Sequence, residues 1–445
     1  MVIKQFEDKP LAHYSYAIIS DGKMAVIDPA RNPMPYYIYA EERKARIVAV
    51  FETHPHADFV SSHLQIHEET NATIYVSKLV GANYPHQAFD DGDSMTLGTI
   101  NLEAIHTPGH SPDSISIIAT DENRQRAMFS GDTLFIGDVG RPDLREKAGN
   151  MKAKRKELAK MMYNTVKTKF NHLPDDTLVY PAHGAGSLCG KNMSSDASST
   201  LGNERRHNWA FKDQTEDEFV KNILSDQPFI PSYFGYNVDL NKTGAAHHEK
   251  SVAEVPLQLA VGTPHQNHLI VDVRDQEAYK NNHFPNSINI MARNENDKLE
   301  TWLGTIIRPD EKFYLIVSSV EDKNTVVNRI AKIGYETHIL GVFTMADETF
   351  ETSKPVDTEV FKNHQEQYTI LDIRNTSEVD EKTIFKSAIN IPLNELRDAE
   401  KEIPRDKPIV VHCAGGYRSA AGSSIVEQML DDVEVYDLGD AVKNF

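Results

Sequence analysis

Apolar residues in the first half of the chain fall into short strand-like runs that end in polar side chains. The runs YSYAIIS and KMAVID flank Asp21-Gly22, a dipeptide that strongly predicts a β-hairpin. Helical periodicity follows in residues 152–170, KAKRKELAKMMYNTVKTKF. Four other apolar runs stop at candidate ligand clusters: RIVAVFE before THPHADF, INLEAI before HTPGHSPDS, RAMFS before GDTLF, and LVYP before AHGAG.

The second half of the chain contains an internal repeat. LIVDVRD corresponds to TILDIRN, and HFPNSINI corresponds to IFKSAINI. Strands that alternate with helices in each copy predict a parallel sheet covered by helices. Polar stretches at 243–256 and 348–359 interrupt the pattern and predict linkers, and His247 and His248 are expected to be solvated loop residues. The expected domains are residues 1–245, 257–347 and 360–445.

Length, charge and cysteine content limit the classes of function. A chain of 445 residues exceeds what one hydrophobic core supports, so several domains are expected. A formal net charge of −19 argues against nucleic acid and acidic membranes as partners. The N-terminal segment has charges where a signal peptide needs an apolar core, which predicts a cytosolic protein. Two cysteines, Cys189 and Cys413, argue against a disulfide framework and for buried small hydrophobic residues or reactive thiols.

Cys413 has the surroundings of a reactive thiol. It ends the strand IVVH and enters the loop AGGYRSAAG, whose glycines let backbone N–H groups turn inward before a helix. Together with Arg418, such an anion-binding loop favours the thiolate. In the first copy of the repeat the corresponding residues are Ser319 and Asn324. Serine does not form a persulfide and asparagine carries no charge, so only the second copy is expected to be active.

Three motifs in the second copy resemble the rhodanese family of sulfurtransferases, which carry sulfane sulfur as a cysteine persulfide. They are Asp372-x-Arg374, the NIP of residues 390–392, and HCAGGYRS. Four residues separate Cys413 from Arg418, whereas related phosphatases have five. The resemblance implies that Cys413 takes up sulfur and that Arg418 stabilises its charge, so both are predicted catalytic residues. The first copy resembles an inactive rhodanese-like domain and is expected to be a scaffold.

The polar clusters of the first section predict a metal site. In an extended segment His54, His56 and Asp58 point the same way. The other three clusters supply His110, Asp132 and His183. Four clusters at the ends of four strands indicate loops that converge on one point, and their side chains are those that bind metals. The motifs by themselves leave open whether the site holds two metals, one or none.

This combination resembles the metallo-β-lactamase superfamily over about residues 1–240, which implies an αββα sandwich with the metal at one edge of its two sheets. Two-metal members, including hydroxyacyl-glutathione hydrolases, read H-x-H-x-D-H, and Phe59 stands in place of the last histidine. The rest of the motif resembles the persulfide dioxygenases. That resemblance implies one Fe(II) per chain, no organic cofactor, and His54, His110 and Asp132 as ligands. Two imidazoles and one carboxylate leave three positions open, as in iron sites that activate O₂.

Further matches to the persulfide dioxygenases are IDP at 27–29, GRPD at 140–143, PAH at 181–183 and SYFGYN at 232–237. The resemblance implies that Arg141 binds substrate. It also implies a set of residues that support the ligands or a bound water: His56, Asp58 and His183.

Cys189 is the second thiol with a possible role. It lies in GAGSLCGKN, whose glycines predict an exposed, mobile loop. One hypothesis is that Cys189 exchanges persulfide with the substrate or contacts its thiol moiety. The alternative is an incidental loop cysteine.

The resemblances together imply a bacterial type of fusion that acts in sulfide detoxification. A persulfide dioxygenase would convert a thiol persulfide and O₂ to sulfite and thiol, and a rhodanese would join sulfane sulfur to sulfite to give thiosulfate. The expected partners are a small thiol persulfide, O₂, sulfite and further copies of the same chain. Two alternatives remain open, a two-metal thioester hydrolase and a non-catalytic persulfide carrier or sensor. Glutathione, coenzyme A and bacillithiol persulfides present the same reacting group.

Overall fold

The computed structural model describes residues 1–144, 154–258, 264, 268–345 and 350–445. It divides into two compact units. The first unit comprises Met1–Lys250 with Ala331–Gly334, and the second comprises Ser251–Ile330 with Tyr335–Phe445. None of the described helices is long and apolar enough to cross a membrane.

The first unit is built from two sheets and their covering helices. Its strands are β1 (Val2–Asp8), β2 (His13–Ser20), β3 (Lys23–Ile27), β4 (Arg46–Phe51), β5 (Thr73–Val76), β6 (Gln87–Ala88), β7 (Ser94–Leu97), β8 (Ile100–His106), β9 (Ile115–Thr120), β10 (Arg126–Gly131), β11 (Leu178–Pro181) and β12 (Ser199–Thr200). Its helices are α1 (Met34–Glu42), α2 (His63–Thr70), α3 (Arg155–Asn164), α4 (Leu201–His207), α5 (Glu216–Leu224) and α6 (Phe234–Thr243). A further helix, α7 (His248–Glu254), spans the division between the units.

Both sheets of the first unit have six strands. One has the order β1-β2-β3-β4-β5-β6 and the other β12-β11-β10-β9-β8-β7. The predicted hairpin is confirmed, because β2 and β3 pair antiparallel around Asp21 and Gly22, which have φ angles of +49° and +67°. Parallel pairs β3/β4 and β10/β11 bring the carboxyl ends of strands to one edge, as the ends of parallel strands must lie.

The main core of the first unit lies between the two sheets. Inward-facing apolar side chains of both sheets meet there, including Tyr16, Ile27, Phe51, Ile117 and Phe129. Helices α1 and α2 cover the outer face of the first sheet, and α3 and α5 cover the second. The order of layers is helix, sheet, sheet, helix, so the predicted αββα sandwich is confirmed.

The second unit contains two four-stranded parallel sheets. The first repeat comprises β13 (Leu269–Asp272), α8 (Gln276–Asn281), β14 (Ser287–Asn289), α9 (Leu299–Ile306), β15 (Phe313–Val317), α10 (Asp322–Ala331) and β16 (Ile339–Thr344). The second repeat comprises α11 (Thr358–Asn363), β17 (Thr369–Asp372), α12 (Thr376–Glu381), β18 (Ile389–Asn390), β19 (Ile409–His412), α13 (Tyr417–Met429) and β20 (Val435–Asp437). Their orders, β14-β13-β15-β16 and β18-β17-β19-β20, are equivalent, which confirms the two predicted parallel α/β domains.

Three local expectations need correction or completion. The stretch 243–256 is not an irregular linker throughout, because α7 forms inside it. His248 is buried, so the expectation of a solvated loop residue is wrong for it. His247 does lie in the loop before α7, with its side chain 39% exposed and 2.6 Å from the Glu68 carboxylate. The helix expected over 152–170 begins at Arg155 and continues as a π-helical turn at Thr165–Lys169, while residues 152 and 153 lie outside the described part.

The expected break at 348–359 is mostly irregular where it is described. Helix α11 begins at Thr358, two residues before the end of the predicted linker. Residues 348 and 349 lie outside the described part.

Candidate functional site

Three side chains meet where β4, β8 and β10 end. His54 follows β4, His110 lies in the loop after β8, and Asp132 directly follows β10. The Nε2 atoms of His54 and His110 lie 3.9 and 3.6 Å from Oδ2 of Asp132. One ligand atom from each residue can be chosen so that all three lie within 4.8 Å of one another. All three side chains are buried, so the sandwich places a buried cluster of possible metal ligands at one edge of its sheets.

Asp28 fixes the direction of the His54 segment. Its carboxylate accepts hydrogen bonds from the N–H and the hydroxyl of Thr53, at 2.7 and 2.9 Å. The Thr53 hydroxyl lies 3.1 Å from Nδ1 of His54, which leaves Nε2 directed at Asp132. Gly131 permits this approach, because a Cβ there would lie 2.5 Å from the Thr53 hydroxyl oxygen. The sequence match at IDP included Asp28, but its supporting role for His54 was missed.

A second group of possible ligands adjoins the first. His183, after β11, lies 3.4 Å from Oδ2 of Asp58 and 3.6 Å from Oδ1 of Asp132. His56, Asp58 and His183 also offer ligand atoms within 4.8 Å of one another. The structure therefore brings together all six side chains that the motifs identified. Their division into iron ligands and supporting residues stays a prediction.

The carboxylates strongly affect the buried histidines. Burial acts to lower the pKa of His183, but Asp58 and Asp132 outweigh it and raise that pKa to about 9. Burial also opposes the charged form of His56, and Asp28, 3.1 Å away, outweighs it and raises that pKa to about 9. His56 is thus directed at Asp28 as well as at its neighbours in the motif.

Phe59 packs between imidazoles rather than facing solvent. Its ring centroid is 3.9 Å from that of His13 and 4.4 Å from that of His56. Asn241 of α6 donates hydrogen bonds to the carbonyls of His56 and Phe59, both at 2.8 Å. These contacts hold the phenyl ring in place, and a phenyl ring offers no lone pair to a metal. Asn241 was missed by sequence reasoning, because its motif neighbour SYFGYN ends four residues before it.

Cys189 is not in an exposed, mobile loop, and that expectation is wrong. It is 1% exposed, and its sulfur can be grouped with ligand atoms of Asp132 and His183 within 4.8 Å. Burial raises the pKa of the Cys189 thiol well above its usual value, and the carboxylates of Asp58 and Asp132 act in the same direction. The flanking glycines predicted mobility, but packing against distant loops decided otherwise.

Arg141 is also buried and fully engaged. Its Nε and one terminal nitrogen donate to the two oxygens of Asp143, each at 2.7 Å, and the other terminal nitrogen donates to the carbonyls of Leu188 and Phe229. Its backbone N–H donates to the Cys189 carbonyl at 2.9 Å. Arg141 therefore ties together the loops beside the site, and direct contact with substrate stays a prediction.

The residues present fit a metal ion. Within the described part of the chain, three buried carboxylate oxygens accept no hydrogen bond: both oxygens of Asp132 and Oδ1 of Asp58. A buried carboxylate without donors is costly, and a cation among these oxygens and imidazole nitrogens would remove that cost. Imidazole and carboxylate are ligands shared by zinc and non-haem iron, so the donor set alone does not select the metal.

The second candidate site is the thiol of the second repeat. Cys413 lies between β19 and α13 and is 2% exposed. The N–H of Gly416 donates to its sulfur at 3.1 Å. Gly416 has a φ of +94°, and a Cβ there would lie 2.9 Å from the backbone nitrogen of Asp440, so the loop requires glycine. The geometry provides a backbone donor directed at the sulfur, as the glycine-rich sequence suggested.

Arg418 is held beside this thiol by Glu378 of α12. Its two terminal nitrogens donate to the two carboxylate oxygens at 2.6 and 2.7 Å. Burial acts to raise the pKa of Glu378, but these hydrogen bonds outweigh it and lower the pKa below its usual value. Sequence reasoning identified Arg418 and missed Glu378, which lies 40 residues away in the chain.

Comparison with known proteins relates both halves of the chain to known families. The Metallo-beta-lactamase superfamily profile matches residues 8–183, and the Rhodanese-like domain profile matches 257–341 and 357–441. A crystal structure of a metallo-beta-lactamase from Staphylococcus aureus is 33% identical, covers 77% of this chain and 99% of that chain, and has a TM-score of 0.67.

Two named relatives match the first unit at similar distance. The human mitochondrial persulfide dioxygenase ETHE1 is 31% identical over 160 residues, or 36% of this chain and 58% of that protein. A cytoplasmic hydroxyacylglutathione hydrolase of Arabidopsis thaliana is 33% identical over 176 residues, or 38% and 63%. Identity alone does not choose between these activities. The matches do agree on the family: the chain belongs to the metallo-β-lactamase superfamily, and two rhodanese-like domains follow its αββα unit along the sequence.

Proposed function

We propose that the protein is a persulfide dioxygenase with sulfurtransferase activity. In the first reaction R-S-SH, O₂ and H₂O give R-SH, sulfite and two protons, so the outer sulfur is oxidised and O₂ is reduced. In the second reaction a sulfane sulfur held on Cys413 passes to sulfite and gives thiosulfate. The substrate is a small thiol persulfide. One Fe(II) per chain is proposed, with His54, His110 and Asp132 as its ligands.

Phe59 is the observation that carries this proposal. It replaces a ligand of the second metal in the two-metal pattern, and its ring is packed between His13 and His56. The ligand group His54, His110 and Asp132 is unaffected by that replacement. A thiol site on the same chain adds support, because sulfite from the first reaction is a sulfur acceptor for the second.

The chain's own residues have distinct parts in the first reaction. When bound, Fe(II) would supply the activation of O₂. His54 and His110 are held with their Nε2 atoms toward Asp132, and Asp28 secures the His54 segment through Thr53. Burial of the whole group excludes bulk water from the reacting persulfide. His183 and Asp58 lie where they can hold a bound water or the persulfide proton.

Sulfur transfer uses the second repeat. The Cys413 thiolate attacks the outer sulfur of R-S-SH, the S–S bond of the substrate breaks, and R-S⁻ leaves. The proton of the transferred SH group then passes to R-S⁻, which gives R-SH and the Cys413 persulfide anion. Sulfite then attacks the outer sulfur of the Cys413 persulfide, which releases thiosulfate and restores the thiolate. The Gly416 N–H and Arg418 stabilise the anionic sulfur in both steps. No oxidant is consumed in this half of the reaction.

A two-metal thioester hydrolase is the second candidate function. Asp58 and Asp132 both lie close to His183, at 3.4 and 3.6 Å, and have buried carboxylate oxygens that lack hydrogen-bond donors in the described residues. Hydroxyacylglutathione hydrolases are also among the relatives. A hydrolase would need no O₂, so oxygen consumption separates the two candidates.

The deciding experiment measures metal content and O₂ uptake together. Iron-loaded protein should hold one iron per chain and consume O₂ with glutathione, coenzyme A or bacillithiol persulfide. His110→Ala should lose both iron and O₂ uptake, because one of three proposed ligands is removed. The matched variant Phe59→His restores the two-metal pattern and should gain a second metal. Two tightly held metals in the active parent, with thioester hydrolysis and no O₂ uptake, would establish the hydrolase instead.

Cys189 provides a separate test of the substrate side. Because its thiol is buried beside Asp132 and His183, Cys189→Ser should change the apparent affinity for persulfide or the ratio of products. Steady-state kinetics with several persulfides measure this change. Identical kinetics with all of them would leave Cys189 as an incidental cysteine.

A further inference from the structure

Arg418 is held on two sides by residues from different repeats. Glu378 of the second repeat binds both terminal nitrogens of its guanidinium. Trp302 of α9, in the first repeat, places its ring 5.9 Å from the guanidinium carbon, within the range of a cation–π contact. Trp302 is itself buried. The Arg418 clamp, defined as Glu378 and Trp302, therefore joins the thiol site to the repeat that lacks one.

The internal repeat indicates that Glu378 is present only in the repeat that has the thiol and the arginine. Aligning LIVDVRDQEA with TILDIRNTSE puts Ala278 opposite Glu378. The strand pairings align the loops differently from the sequence: Asp272 pairs with Ile316, and Asp372 pairs with His412. The next residues, Val317 and Cys413, are therefore equivalent, and the expected equivalence of Ser319 with Cys413 is wrong. The first repeat thus lacks the thiol, the arginine and the carboxylate together. The arginine and the carboxylate that binds it are thus both absent from the repeat that has no thiol.

Other contacts hold the first repeat against the active loop. The hydroxyl of Tyr417, the residue before Arg418, donates to the Met291 carbonyl at 2.9 Å, and Ser424 of α13 accepts from the N–H of Asn289 at 3.0 Å. Burial raises the pKa of Tyr417, so this hydroxyl stays a neutral donor at physiological pH. The loop that carries Cys413 is thereby attached at its arginine end to the first repeat.

These contacts make a specific role possible for the first repeat. A bidentate carboxylate fixes the plane of a guanidinium, and an aromatic ring over its face restricts the remaining rotation. An arginine fixed in this way keeps its charge and its remaining N–H groups in one orientation beside the thiol loop. Arg418 released from either contact would sample other rotamers and would stabilise the anion less.

We propose that Trp302 and Glu378 are positioning residues for Arg418, so that the catalytically inactive repeat completes the sulfur-transfer site of its neighbour. The proposal rests on the sulfurtransferase function assigned to Cys413. It gives the first repeat a part in anion recognition as well as in structure. Thiosulfate and sulfite, both dianions, are the ligands for which this positioning matters most.

The test compares variants that keep apolar bulk. Trp302→Leu removes the aromatic face, and Trp302→Phe retains one. Phe343→Leu is the matched control, because Phe343 lies in the same repeat, is 8% exposed as Trp302 is, and packs on Tyr314. Glu378→Gln removes the carboxylate charge and keeps the side-chain shape. Each variant is made in the full chain.

The first readout is the alkylation of Cys413 by iodoacetate and by neutral iodoacetamide, followed by mass spectrometry of its peptide. The ratio of the two rates reports the positive charge near the sulfur. Trp302→Leu should lower this ratio by about 3- to 10-fold, in keeping with the strength of a partly buried cation–π contact. Trp302→Phe should recover most of it, and Phe343→Leu should leave it unchanged. Glu378→Gln is tested by the KM for thiosulfate, which should rise when Arg418 is released, because in the alkylation ratio the loss of the carboxylate charge opposes the release of Arg418.

The second readout is sulfur transfer from thiosulfate to cyanide. Trp302→Leu should raise the KM for thiosulfate more than it lowers kcat, whereas general damage to the fold would lower the amount of active enzyme and leave KM unchanged. An alkylation ratio and KM in Trp302→Leu equal to those of Phe343→Leu would overturn the proposal. A parent protein that accepts no sulfur on Cys413 would overturn the sulfurtransferase function, while the alkylation ratio would still decide whether Trp302 positions Arg418.

Discussion

The two repeats have the same framework but differ in one loop, which joins β15 to α10 in the first repeat and β19 to α13 in the second. In each, the asparagine that ends the second strand donates to the carbonyls of an Asp-x-Arg pair: Asn289 to Asp272 and Arg274, and Asn390 to Asp372 and Arg374. The Asp-x-Arg ion pairs are also equivalent. These shared motif residues therefore maintain the sheet edge in both repeats and do not distinguish an active domain from an inactive one.

The loops differ in what their backbone donors bind. In the second repeat the Gly416 N–H donates to the Cys413 sulfur. In the first repeat the N–H and hydroxyl of Ser319 both donate to the Asp322 carboxylate, at 3.0 and 2.9 Å. A side chain of the protein thus binds one backbone N–H of the loop in the first repeat. Loss of function in the first repeat involves the whole loop rather than one missing thiol.

The largest difference between the repeats should appear at the thiol. Cys413→Ser should reduce thiosulfate formation by more than about 10³-fold, because the sulfur that carries the transferable atom is gone. O₂ uptake should continue, and sulfite should accumulate instead. The matched variant Ser319→Ala should alter neither products nor rates, as measured by ion chromatography and an oxygen electrode. Thiosulfate formed by Cys413→Ser at the parental rate under limiting sulfite would disprove the coupled mechanism.

Removal of the arginine should have the next largest effect. Arg418→Ala should slow sulfur transfer by about 10²-fold, because one preorganised donor to the anionic sulfur is lost. The product should shift from thiosulfate toward sulfite, less completely than in Cys413→Ser. Asn324→Ala in the first repeat is the control and should have no effect on the same product assay. Equal effects of the two substitutions would show that the comparison of the loops is wrong.

A buried acid in α13 should make stability depend on pH. Burial raises the pKa of Glu427 to about 7, with Asp437 and Glu351 acting in the same direction and the Ser353 hydroxyl opposing them. The folded state therefore retains a proton that the unfolded state releases, so its contribution to the unfolding free energy falls as the pH rises from about 4.5 to about 7. Glu427→Gln should gain about 1–2 kcal/mol relative to the parent between pH 5 and pH 8.

Urea unfolding at the two pH values measures this gain. The exposed Glu359→Gln in the same repeat is the control. A gain of the same size in both variants would assign the effect to net charge rather than to burial of Glu427.

The smallest effect is expected when the active side chains are transferred to the first repeat. The triple variant Ala278→Glu, Ser319→Cys and Asn324→Arg should load less than about 1% of the sulfur that Cys413 accepts, because residue 319 lies two residues beyond the position equivalent to Cys413 and Asp322 repels an anionic persulfide. The same side chains at the equivalent positions, as Ala278→Glu, Val317→Cys and Asp322→Arg, should produce measurable loading. Mass spectrometry in a Cys413→Ser background detects the added sulfur. Full loading in the triple variant would mean that the loop backbone is unimportant.

The thiol residues show how sequence reasoning succeeded and failed. Cys413 and Arg418 could be identified because their loop, glycines and following helix are local features of one segment. Glu378 and Trp302 could not, since one lies in α12 and the other in a different repeat. Cys189 was assigned to an exposed loop from its glycine neighbours and is buried instead. Local composition describes the freedom of the backbone but not what packs on it.

The sequence by itself determined the hairpin at Asp21-Gly22, the parallel sheets of both repeats, and the placement of ligand side chains at strand ends. These follow from hydrophobic periodicity and turn chemistry, which act over a few residues. Only the tertiary structure decided that Cys189 lies beside Asp132 and that Trp302 faces Arg418. Such contacts join segments distant in the chain, and they depend on how whole sheets and helices pack, for which a single sequence carries no local signal.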